Sequence, residues 1–397
     1  MKTKLIIFIL LLLFITSSFA QECTNTLPFN TWLEQFKQDA TAQGISPNTV
    51  NATLNGVRYD ASIIKRDRRQ VQFSQNFSTF LGKVISAYRI QKGQKLILQH
   101  AKLLQDIENR FGVPRSVLVA FWGLESDFGQ NMGNENTIRS LATLAYDCRR
   151  TEKFRGELLA ALRLIDQGDL TAREMRGAWA GEIGQTQFLP SYYLQYAVDF
   201  DGDGKRNLIR STADALASTA NYLKQLGWRS GEPWLEEVVL PSNLPWEQSG
   251  LEQSYPISYW ASLGLRRADN LPLGGSLYAS LLLPMGKDGA AFLVYHNFKN
   301  AYLIWNESLL YSTTAAYFAT RLSGAKPMQP NRAKIASLTF AQVKTLQQRL
   351  VQRGYNVGNV DGIIGENTRI AVKQIQRQLG MPMDGYPTVE LLQWLQK

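Results

Sequence analysis

Residues 114–129 read PRSVLVAFWGLESDFG, a run that is almost wholly apolar until Glu125. The run predicts a helix that begins near Pro114 and, because it has no polar face, is buried on most sides. An unpaired charge in such a place is costly, and burial favours the protonated carboxyl. A carboxyl group that keeps its proton near neutral pH is a general acid. Glu125 is therefore a candidate acid; the alternative is that it pairs with an arginine or caps a neighbouring helix.

Histidine and cysteine are too scarce to support several common kinds of catalytic centre. The chain of 397 residues has two histidines, His100 and His296, and two cysteines, Cys23 and Cys148. This composition argues against a zinc centre and against a Ser-His-Asp triad, so catalysis falls to carboxylates, amides, hydroxyls or backbone groups. In an oxidising compartment Cys23 and Cys148 are expected to form a disulfide; the alternative is two unrelated thiols.

The N-terminus has the pattern of an export signal. Two lysines precede an apolar run over residues 5–15, and the sequence SFA at 18–20 supplies a cleavage site. The run is shorter than the ~20 residues that span a bilayer. We therefore expect residues 1–20 to be a signal peptide and the mature chain to be a soluble periplasmic protein without a transmembrane segment. Because Cys23 does not directly follow the cleavage point, no lipid anchor is expected.

The charge of the chain favours an acidic polymer as its partner. Lys and Arg number 43 against 33 Asp and Glu, a formal net charge of +10. Nucleic acid is one such polymer, but the basic residues are scattered and export argues against it. Peptidoglycan glycan strands, with their muramyl and peptide carboxylates, are the expected partner, and other cell-wall enzymes are further candidates.

A second polar motif occupies residues 180–193, which read AGEIGQTQFLPSYY. Its glycines let the backbone approach a ligand closely, and Gln185 and Gln187 supply neutral donors and acceptors suited to sugar hydroxyl and acetamido groups. The helix that starts at Pro190 carries tyrosines, Tyr192 among them, whose rings offer faces to pyranose rings; the alternative is that they belong to the core. Glu182 in the same motif is a second candidate carboxylate.

The periodicity predicts a mainly α fold with a small antiparallel sheet formed by residues 234–240 and 278–294. A polar, proline-bearing stretch, KPMQPNR at 326–332, separates a large domain from a small one. We expect a signal peptide at 1–20, a catalytic domain at 21–325, a linker at 326–337 and a small domain at 338–397. The helices predicted in the large domain are 28–42, 47–54, 69–85, 95–111, 114–128, 154–166, 190–198, 212–226, 254–263 and 307–323.

The small domain has two half-repeats built on Asp-Gly turns. The sequences VKTLQQRLVQRGY at 343–355, DGIIGENT at 361–368 and AVKQIQ at 371–376 together closely resemble the three-helix peptidoglycan-binding domain found beside many wall hydrolases. Ile375 stands where that domain usually has an aromatic residue. We expect this difference to change packing more than binding.

Five motifs of the large domain closely resemble the lytic murein transglycosylase B family. They are WGLESDFG (122–129), YDCRRTEKF (146–154), the 180–193 motif, DFDGDGKRNL (199–208) and NYLKQLGW (221–228), and the resemblance extends over residues 28–323. It implies a lysozyme-like α+β catalytic domain with Glu125 as the sole catalytic acid. By this resemblance, the chain is a lyase that cleaves the β-1,4 bond between N-acetylmuramic acid and N-acetylglucosamine and leaves 1,6-anhydro ends, without a cofactor.

The resemblance also implies a substrate-binding set. Gln187 matches the glutamine that contacts substrate near the cleaved bond, with Gln185 as a helper, and Arg149 and Arg150 match a basic pair that meets lactyl or peptide carboxylates. For Arg150 a solvated surface role is the alternative. Adding the tyrosine of the second motif and two residues from the family's cleft, the candidate substrate-binding residues are Gln187, Gln185, Arg149, Arg150, Tyr192, Asn306 and Tyr311.

A calcium loop is predicted at residues 199–207. Asp199, Asp201 and Asp203 occupy positions 1, 3 and 5 of a cation loop, and the carbonyl of Lys205 follows. Arg210 stands where the twelfth-position glutamate belongs. The resemblance implies that Asp214 closes the site instead and holds a structural Ca²⁺; the alternative is a metal-free Asp-Gly turn.

Two other functions stay open from the sequence. The first is a hydrolytic muramidase of the same fold, in which Glu182 or Asp127 activates water. Asp127 is the weaker candidate, because two residues rotate a helix by roughly 200° and point its side chain away from Glu125. The second is a non-catalytic scaffold that binds the cell wall.

Overall fold

The computed structural model describes residues 25–69, 76–331, 333 and 335–397. The predicted signal peptide and Cys23 lie outside these ranges, so the signal and the Cys23–Cys148 disulfide stay predictions. Within the described ranges, no helix combines the length and the apolar character needed to cross a bilayer.

Helices make up most of the large domain, as the sequence predicts. Several are capped at their N-termini by serine or asparagine side chains, which satisfy free backbone N–H groups. The helices are α1 (Phe29–Ala42), α2 (Pro47–Leu54), α3 (Ala61–Arg69), α4 (Phe77–Val84), α5 (Ala87–Gln99), α6 (Ala101–Phe111), α7 (Arg115–Ser126), α8 (Thr137–Tyr146), α9 (Thr151–Asp166), α10 (Pro190–Tyr196), α11 (Thr212–Gln225), α12 (Ile257–Ser262), α13 (Leu303–Trp305) and α14 (Leu309–Leu322), with a π-helix at Phe298–Tyr302 before α13.

Two predicted helices have the wrong bounds, and one helix was missed. The helix predicted at 95–111 is two helices, because His100 leaves helical geometry at φ −103° and ψ 24° and ends α5 where α6 begins. For the helix predicted at 69–85, residues 70–75 lie outside the described ranges, and Asn76, at ψ 159°, is the N-cap of α4 and not part of a helix. Helix α8 was not predicted: nearly all its residues are buried, and so short an apolar run has no periodicity that separates helix from strand.

Helix α7 lies in the largest hydrophobic core, and its residues Ser116–Gly123 are all buried. It packs against α5, α6, α11 and α14. Gly123 allows the closest of these approaches, because a Cβ atom there would lie 2.8 Å from the ring of Phe128 and 3.0 Å from that of Phe318. The helix predicted from its apolar pattern is thus the centre of the domain.

A five-stranded antiparallel sheet follows the helical core. Its strands are β3 (Leu235–Val239), β4 (Tyr255–Pro256), β5 (Arg266–Arg267), β6 (Tyr278–Leu282) and β7 (Phe292–Val294), in the order β4-β6-β7-β3-β5. Both faces are covered: Leu282 and Phe292 join the core around α7, whereas Leu281 and Leu293 belong to a separate cluster. A second, two-stranded sheet pairs β1 (Glu135–Asn136) with β2 (Arg176–Gly177).

The C-terminal residues form a three-helix module with its own core. Helices α15 (Phe340–Gln352), α16 (Glu366–Gln378) and α17 (Val389–Gln396) enclose a cluster that includes Ile375, which is fully buried. Ile375 thus fills the position where an aromatic residue was expected.

The module is docked on the sheet region rather than separated from it. Arg369 donates to the backbone oxygens of Leu283 (3.1 Å) and Pro284 (2.7 Å). Lys373 Nζ donates to the Glu247 carbonyl at 3.2 Å and to that of Ser249. Tyr386 completes the contact by packing into the core around α7.

Candidate active site

Glu125 lies in the last turn of α7, where its carboxylate meets two donors from a distant part of the chain. Oε1 accepts a hydrogen bond from Trp305 Nε1 at 2.9 Å and another from the hydroxyl of Tyr311. Both donors use the same oxygen, and within the described ranges no group is hydrogen-bonded to Oε2. An acidic proton on Oε2 is therefore free to be given to a ligand.

The surroundings of Glu125 favour the protonated form. Burial raises the pKa of Glu125 from 4.5 to about 7, and the nearby charge of Glu182 acts in the same direction. The hydrogen bonds from Tyr311 and Trp305 stabilise the charged form and lower the pKa, but they do not outweigh burial. Burial also raises the pKa of Tyr311 far above its ordinary value, so Tyr311 remains a donor. At neutral pH, Glu125 exists in both protonation states.

Asp127 has a structural role. It ends α7 in the left-handed conformation at φ 50°, and its carboxylate contacts Arg89 Nη2 and Lys92 Nζ, each at 3.3 Å. These contacts agree with the expectation that the Asp127 side chain points away from Glu125.

Ser126 connects the end of α7 to the 180–193 motif. Its hydroxyl donates to the backbone oxygen of Gln185 and accepts from Gly129 N at 2.8 Å. The motif turns sharply at Gly184, which has φ 81° and where a Cβ atom would lie 2.7 Å from the Leu208 oxygen. The motif and the acid are thus held in a fixed relation.

The two glutamines of the motif have different environments. Gln187 adopts φ 53°, which is uncommon for a residue with a side chain, and its Nε2 donates to the oxygens of Met132 (3.1 Å) and Gly184 (2.8 Å). Gln185 is only 5% exposed. Its side-chain Nε2 donates a hydrogen bond to Ile209 O, and its Oε1 accepts one from Thr212 Oγ1. Gln185 therefore supports the loop and is not presented to a ligand, in contrast to the expectation.

Glu182 is the second carboxylate near the acid. Burial raises its pKa, and the charges of Lys153 and Arg150 lower it. Within the described part of the chain, Glu182 makes no side-chain hydrogen bond to Glu125; it acts on Glu125 through its charge.

Aromatic rings extend from the acid along one wall. Trp305 lies 5.3 Å from Tyr222 between ring centroids, and Tyr222 lies 4.4 Å from Tyr196 and 5.1 Å from Tyr192. Tyr192 is 38% exposed, which leaves a ring accessible at the end of this row. The sequence indicated Tyr192 but missed Trp305 and Tyr222, although Tyr222 lies in the NYLKQLGW motif.

The basic pair contacts a buried aspartate that the sequence did not indicate. Arg149 Nη1 lies 3.1 Å from Asp67 Oδ2, Arg150 Nη2 contacts Asp67 Oδ1, and Arg68 Nη1 lies 2.8 Å from Asp67 Oδ2. Three guanidinium groups thus contact one carboxylate that is 1% exposed, although Arg68 also pairs with Asp147 at 2.8 Å. The charge of Arg150 acts on Glu182.

The remaining cleft candidates surround the segment 306–311. Asn306 Oδ1 accepts from Ser308 N at 3.0 Å, so this side chain supports the turn into α14. Tyr311 lies at the acid itself and contacts Glu125 rather than only lining the cleft.

Three of the predicted metal ligands come together. Carboxylate oxygens of Asp199, Asp201 and Asp203 lie within 4.8 Å of one another, an oxygen donor set that fits a hard cation such as Ca²⁺. Asp214 is not in this group: it is fully buried and accepts from Phe200 N and Asn207 N, each at 2.8 Å. Lys205 N donates to Asp203 Oδ1 at 2.8 Å. The Asp214 carboxylate thus shapes the loop by accepting hydrogen bonds from backbone N–H groups of the loop.

A helical core with a partly buried acid at the end of its central helix, joined to a small helical module, defines the class of lysozyme-like cell-wall enzymes. Known proteins agree with this class. The family described as Transglycosylase SLT domain matches residues 28–320, and the Putative peptidoglycan binding domain matches residues 341–395. The chain therefore belongs to the transglycosylase SLT domain family and carries a peptidoglycan-binding domain.

Individual relatives support this assignment. The chain is 35% identical over 234 residues to the membrane-bound lytic murein transglycosylase B of Escherichia coli K12, a match that covers 58% of the chain and 63% of that relative's length. SltB3 of Pseudomonas aeruginosa in complex with NAG-anhNAM-pentapeptide has a TM-score of 0.87 at 42% identity, over 93% of this chain and 99% of SltB3. E. coli Slt35 in complex with calcium has a TM-score of 0.63 at 29% identity, over 73% and 92% of the two chains.

Proposed function

We propose that this protein is a lytic transglycosylase that cleaves the bond between N-acetylmuramic acid and N-acetylglucosamine in peptidoglycan, with Glu125 as its acid and base. The observation that carries the proposal is the asymmetry of the Glu125 carboxylate. Oε1 is occupied by Trp305 and Tyr311, and the pKa of about 7 keeps a proton available to Oε2.

The reaction uses one carboxyl group twice. Glu125 gives its proton to the glycosidic oxygen as the bond to the muramyl anomeric carbon breaks, and the muramyl acetamido group stabilises that carbon. The resulting carboxylate then takes the proton of the muramyl 6-hydroxyl, whose oxygen forms the new bond to the anomeric carbon. The products are an anhydromuramyl end and a free N-acetylglucosamine hydroxyl, and the proton returns to Glu125.

The absence of a well-placed second carboxylate supports this single-acid chemistry. Ordinary glycosidases use two carboxyl groups, one of which activates water or attacks the sugar. Asp127 is bound to Arg89 and Lys92, and Glu182 does not contact Glu125 in the described chain.

Hydrolysis is the second candidate, and one observation favours it. The charge of Glu182 raises the pKa of Glu125, so a second carboxyl group that could serve as a base lies near the acid. Glu182→Gln separates the two functions. A hydrolase needs Glu182 as its base and loses most turnover, whereas the transglycosylase retains it; Glu125→Gln abolishes wall digestion in both.

Several features support binding of a glycan with peptide stems. The exposed ring of Tyr192 offers a face for a sugar, as aromatic rings commonly do, and the buried ring of Tyr222 supports it from behind. The arginines held by Asp67 offer positive charge for carboxylates. SltB3, which is similar over most of the chain, has been crystallised with NAG-anhNAM-pentapeptide and NAG-NAM-pentapeptide.

We also propose that the protein works in the periplasm and that the Asp199–Asp203 loop binds a structural Ca²⁺. The N-terminal sequence supports export, although the E. coli relative is named as membrane-bound. The three clustered carboxylates and the calcium complex of Slt35 support the metal. Loss of wall digestion in Glu125→Gln would also exclude a non-catalytic scaffold, because the action of a scaffold on the wall would not depend on this residue.

A further inference from the structure

A cavity of about 350 Å³ lies where the catalytic core meets the C-terminal module. Its wall includes Phe77 and Phe80 from α4, the segment 306–311, and Ile363 and Arg369 from the module. Glu125 and Trp305 do not line it, but Tyr311, which bonds to Glu125, does, so the cavity adjoins the space around the acid. Its volume falls in the range of roughly 300–1,000 Å³ that is usual for ligand sites.

The wall of this cavity carries charge of both signs. The guanidinium of Arg369 is held by two neutral backbone oxygens, those of Leu283 and Pro284, and no carboxylate of the described chain lies within ion-pair distance of it. Glu307 is exposed at the cavity and, among the described residues, has no hydrogen-bond or ion-pair partner. Apolar side chains make up much of the remaining wall. A ligand that matches this surface has a carboxylate, an amine and apolar groups between them.

Peptidoglycan supplies such a ligand, because its stem peptides end in free carboxylates, contain small apolar residues and commonly carry a free amine. We propose that this cavity binds a stem peptide of peptidoglycan, with a carboxylate directed to Arg369 and the amine to Glu307. The inference rests on the proposed function, since it assigns a further part of the same substrate to a second place on the protein.

The segment 306–311 connects the cavity to the catalytic acid. Asn306, Ser308 and Tyr311 line the cavity, and the hydroxyl of Tyr311 bonds to Glu125. Trp305, the other donor to Glu125, directly precedes Asn306. A peptide bound in the cavity therefore contacts the segment that positions both donors.

The test measures binding of a free pentapeptide stem to the full-length Glu125→Gln protein by calorimetry, so that catalysis does not enter. Ile363→Trp fills the rim of the cavity, where Ile363 is 45% exposed. Val351→Trp is the matched control, since Val351 is 47% exposed on α15 and does not line the cavity. We expect at least about tenfold weaker binding in Ile363→Trp, equivalent to about 1.4 kcal/mol, and unchanged binding in Val351→Trp.

A charge variant keeps the test valid if the larger side chain disturbs folding. Acetylation of the stem amine should weaken binding to the protein with Glu307 but not to Glu307→Gln, because the paired charge is then already absent. Equal binding in Ile363→Trp and Val351→Trp, or no measurable pentapeptide binding, overturns the assignment. Either result leaves the proposed activity standing, since that activity is judged from wall digestion by the protein with Glu125.

Discussion

Tyr311 donates its hydroxyl hydrogen to Oε1 of Glu125, across 186 residues of sequence. Trp305 donates to the same oxygen from the segment that precedes α14. This arrangement assigns different tasks to the two carboxylate oxygens. Oε1 is fixed by neutral donors, and Oε2 carries the proton that the proposed reaction transfers.

Replacement of Tyr311 by phenylalanine should change the pH dependence of activity. The Tyr311 hydrogen bond stabilises the carboxylate form and lowers the pKa of Glu125. Without it, we expect the alkaline limb of the kcat profile to move upward by about one pH unit, as loss of a hydrogen bond worth roughly 1.5 kcal/mol implies. Tyr88→Phe, at an exposed position on α5, is the control. A profile that stays in place would show that Tyr311 does not tune the acid.

Replacement of Glu125 by glutamine should stabilise the protein at high pH. Glu125 titrates near 4.5 when unfolded and at about 7 when folded, so the unfolded state releases its proton first as pH rises. The free energy of unfolding of the wild type therefore falls across this window, and the glutamine variant lacks that fall. Thermal unfolding should favour Glu125→Gln by about 3 kcal/mol at pH 8 and by little at pH 4. The exposed Glu152→Gln should show no such pH-dependent difference.

Replacement of Lys373 should weaken the contact between the C-terminal module and the sheet region. Its ammonium group is 8% exposed and bonds to the backbone oxygens of Glu247 and Ser249. Lys373→Met leaves both oxygens unsatisfied at a cost of roughly 1–3 kcal/mol, so the module should separate more often. Small-angle scattering should show a larger radius of gyration than for Lys344→Met, whose side chain is exposed on α15. Equal radii would mean that Tyr386 and Arg369 suffice to hold the module.

Calcium should act on stability rather than on chemistry. If the Asp199–Asp203 loop binds Ca²⁺, the ion stabilises the folded state by mass action and raises the melting temperature by a few degrees. Asp201→Asn should abolish most of this rise, and Asp269→Asn, at a site outside the cluster, should retain it. Chelation should leave turnover intact at temperatures well below melting. A Ca²⁺ response that is the same in both variants would exclude this loop.

Features set by neighbouring residues could be predicted from the sequence, whereas contacts between residues far apart in the chain could not. The burial of α7 and the placement of Glu125 at the end of a buried helix follow from the apolar run around them, because a helix without a polar face packs into the hydrophobic core. The hydrogen bond from Trp305 to Glu125 and the cluster of arginines around Asp67 depend on long-range packing, which no local pattern encodes. Tyr311 was indicated only through the family resemblance, without its contact to Glu125. Gln185 has the composition of a ligand-binding residue, but the fold of its loop buries it.

The most direct test of the account is digestion of purified peptidoglycan in ¹⁸O-labelled water, with mass analysis of the released muropeptides. Intramolecular attack by the muramyl 6-hydroxyl consumes no water. We therefore expect muramyl ends that are lighter than ordinary reducing ends by one water and carry no ¹⁸O, and no release by Glu125→Gln. Reducing ends that contain ¹⁸O would contradict it and identify the enzyme as a hydrolase.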